Sequence, residues 1–189
     1  MTLRLMLICA ARAKRPRFPG VEGLDPIAPA IDAAPDWRVP RIDLCWRAPD
    51  AMSRRTAEWL DVDAVISEEL AEIDYGSWRD RPLDEVAREE PEVFKSWIDD
   101  PSAAPHGGES FADLMSRVGD WLAACQSLSG SALAIAPASV IRACVLAALR
   151  APPAAFANID PDPLSLSRLT SDGRRWSVRS FNEPLKQRR

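Results

Sequence analysis

A short apolar run near the N-terminus constrains the fold of this 189-residue chain more than any other feature. The run, residues 3–9, breaks at once into the small residues Ala10 and Ala11. Its length and its abrupt end favour a buried β-strand over a helix. If the chain forms an open α/β sheet, the carboxyl end of this strand points into the crevice where such sheets place ligands. The residues that follow the run therefore belong to the candidate site.

Strands and helices are predicted to alternate along the rest of the chain. Residues 42–46, 64–67 and 132–136 are expected to be extended, and a hairpin is expected around the turn Asp172-Gly173. Helices are expected at 51–60, with Asp50 as the N-cap, and at 84–90, 91–97 and 139–149. A further helix is expected after Ser110, which with Asp113 comes close to a capping box. The alternation predicts an α/β fold in one domain, residues 1–189. We expect a three-layer α/β/α sandwich with a mostly parallel central sheet and an antiparallel edge.

Composition excludes several classes of function. The net charge is −4, and only residues 186–189 form a basic cluster at a terminus, so nucleic acid is not an expected partner. No apolar run approaches the roughly 18 residues that a membrane span needs, and no clear signal peptide is present, so we expect a cytoplasmic protein. His106 is the single histidine, which excludes any site that needs two histidines from one chain.

The cysteines are scattered and lie in apolar surroundings. None of them forms a CxxC pair, so structural thiols are expected rather than ligands or disulfides. With one histidine and no ligand spacing, we expect neither a metal nor a cofactor. The cysteines are Cys9, Cys45, Cys125 and Cys144.

Several segments, in order along the chain, resemble motifs of the histidine phosphatase (phosphoglycerate mutase-like) superfamily. Residues 72–80 resemble its acidic-aromatic loop, E-x-D-F-G-x-W-E-G, and residues 105–110 resemble its P-x-G-G-E-S helix start. Residues 134–142 resemble V-x-S-H-G-G-V-I-R, the second catalytic strand and turn. Thr56-Ala57 fits the end of S-x-L-x-R-A-x-x-T-A, and Trp176 and Asn182 fit the closing strand. The resemblance implies the phosphoglycerate mutase-like fold.

The chain departs from the family at the positions that carry its chemistry. The first strand of the family ends in R-H-G, and here Cys9 and Ala10 take the places of the arginine and the phosphorylated histidine. The second pocket arginine falls on Met52, and the second histidine falls on Pro137. Phosphoryl transfer depends on positioning, on cations at the phosphate oxygens and, in a covalent route, on a nucleophile. These substitutions replace both family histidines and both pocket arginines by apolar groups, and they leave Glu72 and Arg142.

A few polar residues could still serve a site. Glu72 aligns with the general acid of the family, although a plain loop carboxylate is the simpler interpretation. Arg142 is expected to be a surface or ion-pair residue, with anion binding as the alternative, and Arg12 could also bind an anion. His106 is expected to face solvent, with a relocated catalytic role as the alternative.

The leading hypothesis is a catalytically inactive member of the family, a pseudophosphatase with a binding or regulatory role. The alternative is a phosphatase or other hydrolase with a rebuilt site that uses Glu72 with Cys9 or His106. A third hypothesis is a binder of an uncharged small molecule. The partner would be an unknown protein or small-molecule ligand, and the resemblance allows a homodimer.

Overall fold

A computed structural model describes residues 2–11, 17–19 and 37–185, and all structural statements concern those residues. They contain a six-stranded sheet. The strands are β1 (Leu3–Cys9), β2 (Leu44–Arg47), β3 (Val65–Ile66), β4 (Gly130–Ala136), β5 (Ser165–Ser171) and β6 (Trp176–Pro184).

The order of the strands in the sheet is β3-β2-β4-β1-β5-β6. The first four run parallel, because β4 pairs in parallel with both β1 and β2, and β2 pairs in parallel with β3. β5 is antiparallel to β1, and β6 is antiparallel to β5. The predicted α/β fold, with a mostly parallel sheet and an antiparallel edge, is confirmed.

The predicted helices are present, with bounds that shift by a few residues. Asp50 caps α1, and Ser110 and Asp113 form a capping box on α4. The stretch 68–81, expected to be loop, contains two short 3₁₀ helices, Glu68–Leu70 and Gly76–Trp78. No helix within the described ranges is both long enough and apolar enough to cross a membrane. The α-helices are α1 (Ala51–Trp59), α2 (Leu83–Glu89), α3 (Pro91–Asp99), α4 (Phe111–Cys125) and α5 (Ala138–Leu149).

The sheet is covered by helices on both faces. Alternate residues of β1 enter different apolar clusters, because successive strand side chains point to opposite faces. Leu5 and Cys9 belong to the cluster that contains buried residues of α4 and α5. Ile8 belongs to the cluster that contains Leu60, which follows α1. The carboxyl ends of β1 and β4 therefore lie between α1 on one face and α5 on the other.

A third cluster is aromatic and lies under α2 and α3. Phe18 is buried in it, with its ring centroid 4.9 Å from Tyr75, 5.2 Å from Trp78 and 5.7 Å from Trp97. Residues 17–19 are also held by backbone bonds, since the Phe18 amide donates to the Arg81 carbonyl at 3.0 Å. This segment ties the chain that follows β1 to the helices α2 and α3.

Candidate functional site

The carboxyl ends of β1 and β4 lie side by side. Cys9 is opposite Ala136 in the parallel register, and the Ala10 amide continues the ladder by donating to the Ala136 carbonyl at 2.9 Å. Beyond the strand, the Ala11 amide donates to the Thr56 hydroxyl at 3.1 Å, which ties the end of β1 to α1. We use the name strand-end site for these two strand ends, the first turns of α1 and α5, and Glu72.

The floor of the strand-end site is apolar. Cys9 is buried, and its Sγ lies 3.9 Å from the Pro161 carbonyl oxygen, on the face that carries α4 and α5. Ala10, which is 5% exposed, packs instead in the cluster of the α1 face together with Met52. Thiol and methyl groups therefore occupy the positions at which the resemblance places a guanidinium and an imidazole.

Pro137 ends β4 and begins α5. It is buried and extended, with φ −58°, and its carbonyl accepts the first bond of the helix from the Ile141 amide at 3.0 Å. A proline suits this position because a helix start requires no amide donor there. Its ring can neither bind a phosphoryl group nor donate a proton.

Glu72 lies beside the start of α5. Its Oε1 accepts a bond from the Ile73 amide at 2.8 Å and a second bond from the Ser139 hydroxyl. The pKa of Glu72 is raised to about 7, chiefly because the carboxyl group is withdrawn from water, while these two hydrogen bonds oppose the shift and the charge of Asp50 adds to it. Glu72 is therefore more easily protonated than an exposed glutamate.

Sequence reasoning missed Ser139. It is buried, and it is the second residue of α5. The signal was present in the motif, because Ser139 stands where the family pattern has its second glycine. The Ser139 hydroxyl lies one helical turn before Arg142 and faces the loop that carries Glu72.

Asp50 was predicted as a helix cap but not as part of a site. Its Oδ1 accepts bonds from the amides of Met52 and Ser53, both at 2.9 Å. Among the described residues, the buried Oδ2 has no hydrogen-bond partner, and neither has the hydroxyl of the fully buried Ser53. The start of α1 therefore carries two buried polar atoms without a partner in the part of the chain that the structure describes.

Arg142 forms an ion pair, as expected. Its Nη2 bonds to Oδ1 of Asp160, and its guanidinium carbon lies 5.4 Å from the centroid of the Phe156 ring. A carboxylate and a ring face thus contact the guanidinium, while its Nε is buried without a hydrogen-bond partner among the described residues. Arg12, the other candidate for anion binding, lies outside the described residues.

The expectation that His106 faces solvent is wrong: the residue is 3% exposed. Its ring centroid lies 5.0 Å from that of Trp78 and 5.9 Å from that of Tyr75, and its Nδ1 accepts a bond from the Gly108 amide at 3.1 Å. Burial lowers the pKa of His106, against the opposing charge of Asp74. The imidazole is therefore a packed component of the aromatic cluster.

Close backbone contact between two loops explains this burial. Gly76 has φ +47°, and an added Cβ would lie 2.1 Å from the His106 carbonyl oxygen. That oxygen accepts a bond from the Ser77 amide at 2.9 Å. The Glu109 amide donates to the Asp74 carbonyl at 2.8 Å. The loop that follows Glu72 is thereby fastened to the loop that contains His106, and we refer to this contact as the loop clasp.

Tyr75 lies close to both His106 and Glu72. Its ring contacts His106, and its phenol has a pKa well above the ordinary value because of burial and the nearby charge of Glu72. No group of three or more His, Cys, Asp or Glu side chains able to hold a metal occurs among residues 2–11, 17–19 and 37–185.

The comparisons with known proteins agree with this geometry. The family model described as the histidine phosphatase superfamily (branch 1) matches residues 47–184. The solved structure of a putative alpha-ribazole-5'-P phosphatase from Escherichia coli superposes with a TM-score of 0.78 at 17% identity, covering 98% of this chain and 99% of that one. At that identity the superposition shows a shared fold.

Two curated relatives match shorter segments. The protein of Mycobacterium tuberculosis named "Bifunctional protein Rv2228c" is 40% identical over 62 residues, which are 33% of this chain and 17% of that protein. "Phosphoserine phosphatase 1" of Hydrogenobacter thermophilus is 33% identical over 67 residues, which are 35% of this chain and 32% of that protein. The matched segments thus span less than a third of either relative.

Proposed function

We propose a function for this chain, which belongs to the histidine phosphatase superfamily (branch 1). The chain is a member of that family without phosphoryl-transfer activity, and its strand-end site binds a ligand. The single observation that carries the proposal is the pair Ala10 and Pro137. They occupy the carboxyl ends of β1 and β4, where the family pattern has its two histidines. A methyl group and a proline ring offer no nucleophile and no proton.

The surroundings of these residues support the same proposal. A phosphomonoester dianion needs cations around its oxygens, and each missing donor commonly costs about 3 kcal/mol of transition-state stabilisation. Cys9 and Met52 supply neither charge nor donors for that purpose. Glu72, which the resemblance makes the general acid, has its Oε1 engaged by Ile73 and Ser139.

The proposal is tested by hydrolysis of an aryl phosphate and a panel of sugar and nucleoside phosphates. The wild type would be compared with Glu72→Gln, and with Asp120→Asn as the matched control, since Asp120 is an exposed residue of α4. We expect no hydrolysis above the rate in buffer for any of the three proteins. Hydrolysis that Glu72→Gln abolishes and Asp120→Asn retains would refute the proposal.

One contact favours a second candidate function, a hydrolase with a rebuilt site. The sequence-based alternative joined Glu72 to Cys9 or His106, whereas the hydrogen bond from the Ser139 hydroxyl favours Ser139 as the partner. A serine hydroxyl beside an ionised carboxylate with a pKa of about 7 can pass its proton to that carboxylate while its oxygen attacks the acyl carbon of an ester. The carboxyl group would then return the proton to the alcohol that leaves as the ester bond breaks, and water would hydrolyse the acyl-serine to the acid and free serine. Covalent labelling by a fluorophosphonate, lost in Ser139→Ala, would support this candidate, and the absence of labelling would exclude it.

A further inference from the structure

One edge of the sheet is formed by β3, whose outer side has no partner strand among the described residues. β3 is the first strand in the order of the sheet, and it pairs with β2 alone. The Ser67 amide donates to the Arg47 carbonyl of β2 at 3.0 Å. Because the backbone groups of successive strand residues point in opposite directions, the amide and the carbonyl of Ile66 point away from β2. None of the described residues bonds to them, so they can accept an added strand.

The side chains of β3 are apolar and exposed. Val65 is 69% exposed and Ile66 is 49% exposed, and Val65 is the most exposed large apolar side chain in the part of the chain that the structure describes. They point to opposite faces of the sheet, because side chains alternate along a strand. Unpaired backbone groups beside exposed apolar side chains are the arrangement that binds an extended peptide as an additional strand.

Acidic residues flank β3 on both sides, and we use the name β3 edge for residues 61–69. This segment contains four carboxylates and neither lysine nor arginine. Asp61, Asp63 and Glu68 are exposed, and they form no ion pair with any of the described residues. The fourth, Glu69, accepts a bond from the Ser67 hydroxyl at 2.7 Å. A strand added here is therefore stabilised by basic residues on both sides of its apolar centre.

Two arginines beside the β3 edge are bonded to other groups. Arg47, on the neighbouring strand β2, donates from Nη1 to the Ala48 carbonyl at 3.0 Å. Arg117 donates to the backbone carbonyl of Glu69 at 2.7 Å, and its guanidinium pairs with the Glu109 carboxylate at 2.7 Å. Neither arginine forms an ion pair with the exposed carboxylates of the β3 edge, which thus keep their negative charge for a ligand.

A second copy of this chain is a poor partner for the β3 edge. Two such strands related by a two-fold axis run antiparallel, so each end of one strand meets the opposite end of the other. Asp61 and Asp63 of one copy would then approach Glu68 and Glu69 of the other copy. Like charges across paired strands destabilise the pairing, whereas a basic segment would be attracted. Charge complementarity therefore favours a basic partner over self-association.

We propose that the β3 edge binds an extended segment of a partner protein, apolar at its centre and rich in lysine or arginine at its ends, as an added strand. The backbone of Ile66 supplies the main-chain hydrogen bonds, and the side chains of Val65 and Ile66 contact the apolar centre of the segment. The acidic residues pair with its basic ends. This surface lies beyond β2, away from the ends of β1 and β4, so the inference goes beyond the proposed function and does not depend on it.

The test is an NMR titration of the isotope-labelled full chain with three synthetic peptides that are capped at both ends. The first peptide is Lys-Lys-Val-Thr-Val-Lys-Lys. The second has proline in place of threonine, which interrupts a β-ladder, and the third has glutamate in place of every lysine. We expect saturable shifts at residues 64–68 and slower hydrogen exchange of the Ile66 amide with the first peptide. The proline peptide should bind about fivefold more weakly, the effect of one lost hydrogen bond, and the glutamate peptide should not bind.

A matched pair of charge reversals tests the acidic flank. Glu68→Lys should weaken binding of the first peptide by about threefold, and Asp120→Lys, at an exposed position of α4, should leave it unchanged. Shifts centred away from residues 64–68, equal affinity of the proline peptide, or equal affinity of the two variants would overturn the proposal. Sedimentation of the free chain as a dimer that Ile66→Pro abolishes would also overturn it, because a second copy would then occupy the β3 edge.

Discussion

The loop clasp gives the sharpest prediction of stability, through the substitution Gly108→Ala. A Cβ added at Gly108 would lie 2.1 Å from the Asp74 carbonyl oxygen and 2.8 Å from its carbon, far inside van der Waals contact with rigid backbone. The two loops would have to separate to accommodate the methyl group. Gly119→Ala is the matched control, because an added Cβ there meets nothing within 4 Å and the residue lies inside α4.

The magnitude follows from the bonds that the separation breaks. The Glu109 amide would lose its 2.8 Å bond to Asp74, and the Ser77 amide would lose its 2.9 Å bond to His106, at about 1 kcal/mol each. Looser packing of the His106 ring against Trp78 raises the total loss in the free energy of unfolding to about 3 kcal/mol. For a chain of this length, such a loss lowers Tm by roughly 6–12 °C.

Scanning calorimetry of the two variants and the wild type tests this reasoning. Gly119→Ala should raise the unfolding free energy by up to about 1 kcal/mol, because alanine loses less backbone entropy than glycine in a helix. The two substitutions add the same methyl group and should shift Tm in opposite directions. A Gly108→Ala protein that melts with the wild type would refute the clasp as described.

Three further predictions follow from neighbouring contacts. Phe18→Ala should destabilise the protein by about 3–5 kcal/mol in urea unfolding, because Phe18 is 2% exposed within the aromatic cluster. A urea midpoint equal to that of the wild type would contradict this. Ser139→Ala should raise the pKa of Glu72 above about 7 in an NMR titration, since the hydroxyl stabilises the charged carboxylate. An unchanged pKa would show that this hydrogen bond does not stabilise the carboxylate. The pKa of His106 in the folded protein is below its ordinary value of 6.5, so the contribution of this residue to stability is present above pH 6.5 and is lost as the pH falls. His106→Gln should therefore flatten the curve of unfolding free energy against pH below pH 6.5. A curve identical to that of the wild type would exclude the effect.

Much of the fold was predictable because its signals are local. The apolar run that becomes β1 breaks where the strand ends, and Ser110 and Asp113 form the capping box that their spacing indicates. Asp172 and Gly173 make the hairpin turn, with Gly173 at φ +87° and the Asp172 carboxylate accepting two backbone amides. Each of these features depends on residues within a few positions of one another.

The contacts within the candidate site were less predictable because they join distant parts of the chain. His106 looks like a solvent-facing loop residue in sequence, and only its contacts with Trp78 and Tyr75, some 30 residues earlier, bury it. The bond from Ser139 to Glu72 spans 67 residues. Which side of the sheet Cys9 faces depends on its partners across the sheet, and periodicity alone did not reveal it.

The unpaired oxygen of Asp50 at the start of α1 shows a second reason why parts of the site could not be predicted from the sequence. The position of Asp50 before the helix predicted its role as a cap, and Oδ1 performs that role. Nothing in the sequence indicates that the second oxygen is buried without a donor, because that depends on how tightly α1 packs against the ends of the strands. Burial of a polar atom is a property of the assembled fold.

A search for a phosphoenzyme tests whether the strand-end site transfers phosphoryl groups. The wild-type protein would be mixed with excess aryl phosphate, quenched rapidly under conditions that preserve phosphohistidine and other phosphoryl adducts, and weighed intact by mass spectrometry. We expect unmodified protein at every time point, because Ala10 and Pro137 stand where the family pattern has its two histidines. A phosphoryl adduct that forms in the wild type and is lost in Glu72→Gln would contradict it.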